Sequence, residues 1–133
     1  MQRHNLSSPR LAAPRFRYTP CVKVGPLAWL SGMVALDPAT GQLVPGGVGP
    51  QTQRIFDNLA LALPDYGLHM ADLCMARLYT TVFEEFGAIN EVWERQFASL
   101  TPPARTAVGV THLPLGALVE IEFCFYPASG ALS

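Results

Sequence analysis

Near the C-terminus, from Val119 to Tyr126, large apolar side chains alternate with polar or smaller ones. In an extended strand successive side chains point to opposite faces, so Val119, Ile121, Phe123 and Phe125 share one face and Glu120, Glu122, Cys124 and Tyr126 the other. A chain with this strand has to build a sheet whose apolar face is covered. It also has to account for a second face that carries two carboxylates.

Two helical stretches can cover the apolar face. Ile55, Phe56, Leu59, Ala60 and Leu63 follow three- and four-residue spacings, the signature of one helical stripe. Pro50 suits the first turn and Gly67 a C-terminal cap. Pro64 removes a hydrogen bond, which predicts that the last turn ends early or bends. Ile89, Val92, Trp93 and Phe97 mark a second amphipathic helix. Around them, Cys21–Val24, Leu27–Gly32 and Met33–Leu36 read as short strands, the last running into the turn Asp37-Pro38-Ala39-Thr40-Gly41. Leu73–Phe83, Thr106–Val110 and Leu118–Tyr126 complete the order β-β-β-α-β-α-β-β.

The chain has 133 residues, enough for one domain with a two-layer core. Only 14% of residues are charged and 50% are hydrophobic, against about 25% charged in an average soluble domain. Part of the apolar surface is therefore expected to meet another subunit. A solvated second sheet face would make the two glutamates mere wetted surface; a face packed on a neighbouring subunit would enclose Glu120, and the low charge content favours this.

The formal net charge is −1. Arg3, Arg10, Arg15 and Arg17 crowd the N-terminal segment, which is expected to be a solvated, partly flexible lead-in. The body shows no basic stripe of the kind nucleic acid requires, and no membrane partner is expected. The segment also lacks the apolar run of a secretory signal. Three cysteines, Cys21, Cys74 and Cys124, without a C-x-x-C motif, point to small buried hydrophobes in strands and to a reducing cytoplasm. His4, His69 and His112 share no metal-ligand spacing, so no metal is expected.

With a single lysine, Lys23, and no phosphate-binding loop, Arg105 and Glu120 are the strongest candidates for chemistry. Arg105 stands at the mouth of one expected strand, in Pro103-Ala104-Arg105-Thr106-Ala107, and Glu120 on the non-helical face of the last.

The ordered set of motifs resembles the Rid (reactive intermediate deaminase, YjgF) family from about Tyr18 to Tyr126. It comprises Tyr18 ahead of a strand ending Leu30-Ser31-Gly32, the turn Asp37–Gly41, Gln51-Thr52 with Asn58-Leu59, Phe86-Gly87-Ala88-Ile89-Asn90, Pro103-Ala104-Arg105 and Val119-Glu120-Ile121-Glu122. The resemblance implies an α+β fold, a single mixed β-sheet with two helices packed on one face (chorismate mutase-like), assembled as a homotrimer with inter-subunit clefts. It implies a tail over residues 1–17, one Rid-like domain over 18–127 and a C-terminal tail over 128–133. The activity implied is hydrolysis of short 2-imino acids, 2-iminopropanoate and 2-iminobutanoate, to 2-keto acids and ammonia, without cofactor or metal. Arg105 would grip the substrate carboxylate with two parallel donors. Glu120 would hold the attacking water. Tyr18, Ser31, Gly32, Asn90 and Ala107 match positions that line the ligand cleft.

The sequence departs from the family pattern around Tyr18, at Val82 in place of a frequent aspartate, and at Ala107 in place of a frequent cysteine. An alternative function on the same fold is non-catalytic binding or sensing of a small carboxylate such as a 2-keto acid. A scaffold with a vestigial cleft is a third. Glu120 distinguishes the first from the others, since binding alone needs no carboxylate to position water.

Overall fold

In the computed structural model, residues 2–127 are described. Six strands form one sheet: β1 (Arg3–Leu6), β2 (Cys21–Val24), β3 (Leu27–Met33), β4 (Leu73–Thr80), β5 (Ala104–Gly109) and β6 (Val119–Phe125). Their spatial order is β1-β2-β3-β6-β4-β5. Among the described residues only the β4–β5 pair is parallel, and the helix α2 (Phe86–Gln96) lies in the crossover that joins them, as parallel pairing requires. The sheet is mixed, and α2 packs beside α1 (Val48–Tyr66) over one face.

The period-two reading of β6 holds. Val119, Ile121, Phe123 and Phe125 are fully buried beneath the helices, while Glu120 and Glu122 face the other way and are half-buried. α1 buries Thr52, Ile55, Phe56, Leu59, Ala62, Leu63 and Tyr66 along one stripe. Phe56 anchors the layer, with edge-on contacts to Phe123 at 5.7 Å, Phe97 at 5.9 Å and Trp93 at 6.1 Å between ring centroids.

Four sequence expectations are corrected. α1 continues through Pro64 to Tyr66, because buried Leu63 and Tyr66 hold the last turn and left-handed Gly67 caps it, its N–H reaching the carbonyl of Pro64 at 3.2 Å. Arg3–Leu6, within the stretch expected to be a flexible lead-in, forms an edge strand antiparallel to β2. Met33–Leu36 is not a separate strand: Met33 ends β3, and Leu36 makes only an isolated bridge to Leu43 across the Asp37–Gly41 turn. Cys74 is exposed, at an irregularity in the β4–β6 pairing, whereas Cys21 and Cys124 are buried as expected. The expected C-terminal tail lies outside the described residues.

Among the described residues, no helix is long and apolar enough to cross a membrane, and no group of three or more His, Cys, Asp and Glu side chains could hold a metal ion.

The sheet face away from the helices carries exposed Val24, Trp29 and Val108, at 40%, 44% and 41% of their full surface. Arg77 crosses this face, its guanidinium 5.9 Å from the Trp29 ring centroid.

Candidate functional site

The expected site residues fall into two groups on opposite faces of the sheet. The first surrounds Glu120 on the face away from the helices. β3 and β6 pair in register at Leu30 with Phe123 and at Met33 with Ile121, with a shift between them. That irregularity brings Gly32 against the Glu120 carboxylate. A Cβ at position 32 would lie 2.6 Å from Oε2 and 2.9 Å from Cδ, so only glycine leaves room for the carboxylate where it sits. Gly32 is not in a left-handed conformation; what the position requires is space.

Glu120, Gly32, Ser31 and Tyr18 line one cleft of about 290 Å³. Ser31 shapes it indirectly. Its Oγ donates to the carbonyl of Thr19 at 2.7 Å and its N–H to that of Pro20 at 2.9 Å, tying the segment after Tyr18 to β3. Tyr18 is thereby held at the cleft, half exposed. Burial, and then the charge of Glu120, push its phenol above the ordinary value. Burial also raises the Glu120 carboxyl, and the nearby Glu122 charge adds to the rise. Glu122 is engaged elsewhere, accepting a hydrogen bond from the Tyr79 hydroxyl at 2.5 Å.

The second group stands at the outer edge of the sheet. Arg105 on β5 lies beside Ala76 of β4, a core-facing residue, so its side chain turns toward α2. There Nη1 donates to Asn90 Oδ1 at 2.8 Å. The guanidinium also rests 5.0 Å from the Trp93 and 5.4 Å from the Phe86 ring centroids. Ala107, two residues along β5, shares this face and packs against the core. Arg105 is exposed, permanently charged and pre-oriented.

Within one chain, then, Tyr18, Ser31, Gly32 and Glu120 come together, as do Asn90 and Arg105, but the sheet separates the two groups. Sequence reasoning missed several contributors. Arg15, Phe16, Pro114 and Leu115 also line the Glu120 cleft, and nothing in their local pattern marks them. Leu115 adopts φ 61°, a left-handed conformation unusual for a branched residue. Gln51 sits buried under the start of β6 and accepts the Leu118 N–H through Oε1 at 2.9 Å, fixing the strand beside Glu120. In the sequence Trp93 shows only as part of an apolar stripe and Phe86 only as part of a motif, and the fold reveals their contact with Arg105.

The architecture and these positions define an α+β protein with one mixed sheet and two helices on one face. The family model described as Endoribonuclease L-PSP matches residues 9–126. The chain belongs to that family, the Rid family. It is 34% identical to the 2-iminobutanoate/2-iminopropanoate deaminase of Dermatophagoides farinae, over 88% of this chain and 91% of that protein. With the protein of the same name from Mus musculus it shares 36% identity, over 79% of this chain and 77% of the mouse protein. The crystal structure of Escherichia coli TdcF with bound serine superposes with a TM-score of 0.87 at 26% identity, covering 94% of this chain and 99% of that one.

Proposed function

We propose that the protein is an imine hydrolase, converting short 2-imino acids such as 2-iminopropanoate and 2-iminobutanoate to 2-keto acids and ammonia in clefts between the subunits of a homotrimer. The observation that carries this reading is the Glu120 carboxylate, half-buried against Gly32 in a cleft, with its proton affinity raised. A general base works best when its affinity lies near the working pH. Two of the relatives carry the corresponding deaminase name.

A complete site needs a second copy, because the anchoring cation and the base lie on opposite faces of one sheet. The exposed apolar side chains of Val24, Trp29 and Val108 favour a copy packed on the face away from the helices. The β5 edge of that neighbour, with Arg105 and Asn90, would then complete the Glu120 cleft.

In this reading Arg105 receives the substrate carboxylate in a paired hydrogen bond, its plane held by Asn90, Trp93 and Phe86. Water attacks the imine carbon while Glu120 takes its proton, forming the C–O bond of a tetrahedral carbinolamine. Glu120 returns that proton to nitrogen, giving the neutral carbinolamine; it then takes the hydroxyl proton and delivers it to the amine as the C–N bond breaks, so that ammonia leaves and the ketone forms. The overall balance is R–C(=NH)–COO⁻ + H₂O → R–CO–COO⁻ + NH₃, with no change of oxidation state. Tyr18 bounds the cleft, and Ser31 and Gly32 shape its floor. Ala107 continues the Arg105 face through its main chain, so the missing cysteine thiol is not needed for this chemistry.

The test is release of ammonia and keto acid from freshly generated 2-iminopropanoate and 2-iminobutanoate, comparing wild type with Arg105→Ala and measuring assembly size by sedimentation. Acceleration by wild type, lost in a variant of unchanged assembly, is the expected result. Normal turnover by the variant would refute the assignment. Saturable 2-ketobutyrate binding without acceleration by wild type would make the protein a binding module.

A further inference from the structure

Two of the three cysteines meet on the sheet face away from the helices. β4 and β6 pair Leu73 with Phe125 and Met75 with Cys124, so Cys74 is the extra residue of a bulge and stands with Met75 opposite Cys124. Cys74 Sγ donates to the Cys124 carbonyl at 3.1 Å, and the two thiols also hydrogen-bond one another. Cys21 belongs to the core under the helices and takes no part.

The two thiols differ in their surroundings. Cys74 is exposed, whereas Cys124 is 8% exposed. Burial, and then the Cys74 thiol beside it, push the Cys124 thiol up to about 11, against a smaller opposing pull from Arg77. A thiol held in its protonated form reacts slowly with oxidants, while an exposed one is open to them. The pair therefore sets an accessible sulfur in contact with a protected one.

Geometry favours a covalent link between them. A disulfide needs Cα atoms about 4.4–6.8 Å apart. Facing residues of an antiparallel pair lie about 4.5–5.5 Å apart, and in a bulge both residues of one strand face a single partner. The backbone is held on both sides of the bulge. The Tyr126 N–H donates to the Asp72 carbonyl at 3.0 Å on one side, and Met75 pairs with Cys124 on the other. The imine chemistry proposed above makes no use of either thiol. Glu120 lies four residues from Cys124 along β6, roughly 13 Å of extended strand.

We infer that Cys74 and Cys124 form an oxidant-responsive modification site, at which a peroxide joins them in an intrachain disulfide that staples β4 to β6. The Cys74 thiolate attacks the peroxide, an S–O bond forms as the O–O bond breaks, and Cys74 becomes a sulfenic acid. The Cys124 sulfur then attacks the Cys74 sulfur, and the hydroxyl leaves with the Cys124 proton as water. The overall balance is 2 RSH + H₂O₂ → RSSR + 2 H₂O, in which the sulfurs lose two electrons and the peroxide oxygens gain them. The bond encloses α2 and β5, a span of 50 positions from Cys74 to Cys124. Closing so long a loop constrains the unfolded chain and stabilises the fold.

The experiment treats the reduced full chain with hydrogen peroxide, quenches with catalase, alkylates the remaining thiols in denaturant and maps tryptic peptides without reduction. Cleavage after Lys23, Arg54, Arg77 and Arg105 places the three cysteines in separate peptides. The expected product joins the Cys74 and Cys124 peptides, leaves Cys21 alkylated and runs as a single chain on a non-reducing denaturing gel. Its melting temperature should rise by about 5–15 °C, the scale for a loop closure in a domain of this size, and fall back on treatment with dithiothreitol. Cys74→Ser should show neither the link nor the rise, and in Cys124→Ser a sulfenic acid should be trapped at Cys74 by dimedone. Intact thiols after peroxide, a link between two chains, a link to Cys21, or oxidation of Cys74 only to sulfinic or sulfonic acid overturns the site. A linked chain that melts no higher than the reduced one overturns the staple. Because the readouts are covalent mapping and melting, the result is independent of whether the protein hydrolyses imines.

Discussion

The two halves of the candidate site are built on opposite principles. Around Glu120, long-range contacts bury an acid and raise its proton affinity: a β3–β6 irregularity, a glycine with no room for a side chain, and a strap from the N-terminal segment. Around Arg105, one helix holds an exposed cation whose charge never changes, through a single hydrogen bond and two ring faces. A base gains from partial desolvation because its proton must come and go. An anion anchor gains from rigid orientation and loses nothing by staying wet until the ligand arrives. The halves should therefore respond differently to substitution.

The largest effect is expected for Glu120→Gln, which keeps the shape and removes the proposed base. Turnover of 2-iminopropanoate should fall about 10²- to 10⁴-fold, the range for loss of a general base, while 2-ketobutyrate binding persists by calorimetry. The wild-type acid limb of kcat/KM should lie above the pH of an ordinary glutamate and should be absent from the residual activity of the variant. Stability follows the same linkage. Because the folded-state affinity is raised above the reference value of 4.5, the stability associated with protonated Glu120 is full below that value. It is lost as pH rises through the folded-state value. Glu120→Gln should accordingly melt higher than wild type at neutral pH and lose that advantage in acid. Equal melting temperatures at both pH values would show that the carboxylate is not strained by burial.

A smaller loss, about tenfold or more in kcat, is expected for Gly32→Ala. The new Cβ would have to displace the carboxylate, at about the cost of misplacing a catalytic group by an ångström. The atom it meets is the end of a flexible side chain, so melting should change little. A drop in melting temperature as large as that of a core truncation would mean that Gly32 serves the fold rather than Glu120.

The mildest effect belongs to the other half. Asn90→Ala removes one hydrogen bond to an exposed cation and leaves Phe86 and Trp93 in place. KM should rise a few-fold with kcat nearly unchanged, consistent with about 1 kcal/mol for a hydrogen bond. A kcat collapse with unchanged KM would break the division of labour, because Asn90 would then be acting on the reacting atoms.

Much of the frame was legible in the sequence because local periodicity encodes it. The alternation from Val119 to Tyr126 set which face of β6 is buried, and the stripes through Phe56 and Trp93 set what covers it. Pro64 misled because helix-breaking rules are local, while Leu63 and Tyr66 are held by the core below them. The arginine-rich segment misled for a related reason: exposed polar composition suits a flexible tail and an edge strand equally well, and only pairing with β2 separates them.

For the site, the sequence alone determined the chemical inventory: one glutamate on the non-helical face, one arginine at a strand mouth, and a glycine and a tyrosine at matching motif positions. Tertiary structure decided how that inventory is divided. Arg105 turns toward α2 because β5 pairs in register with β4, which puts it beside core-facing Ala76. Glu120 lies on Gly32 because β3 and β6 slip relative to one another between Leu30 and Met33. Register and slip are relations between distant segments, set by which strands pair, so no reading of either segment by itself contains them.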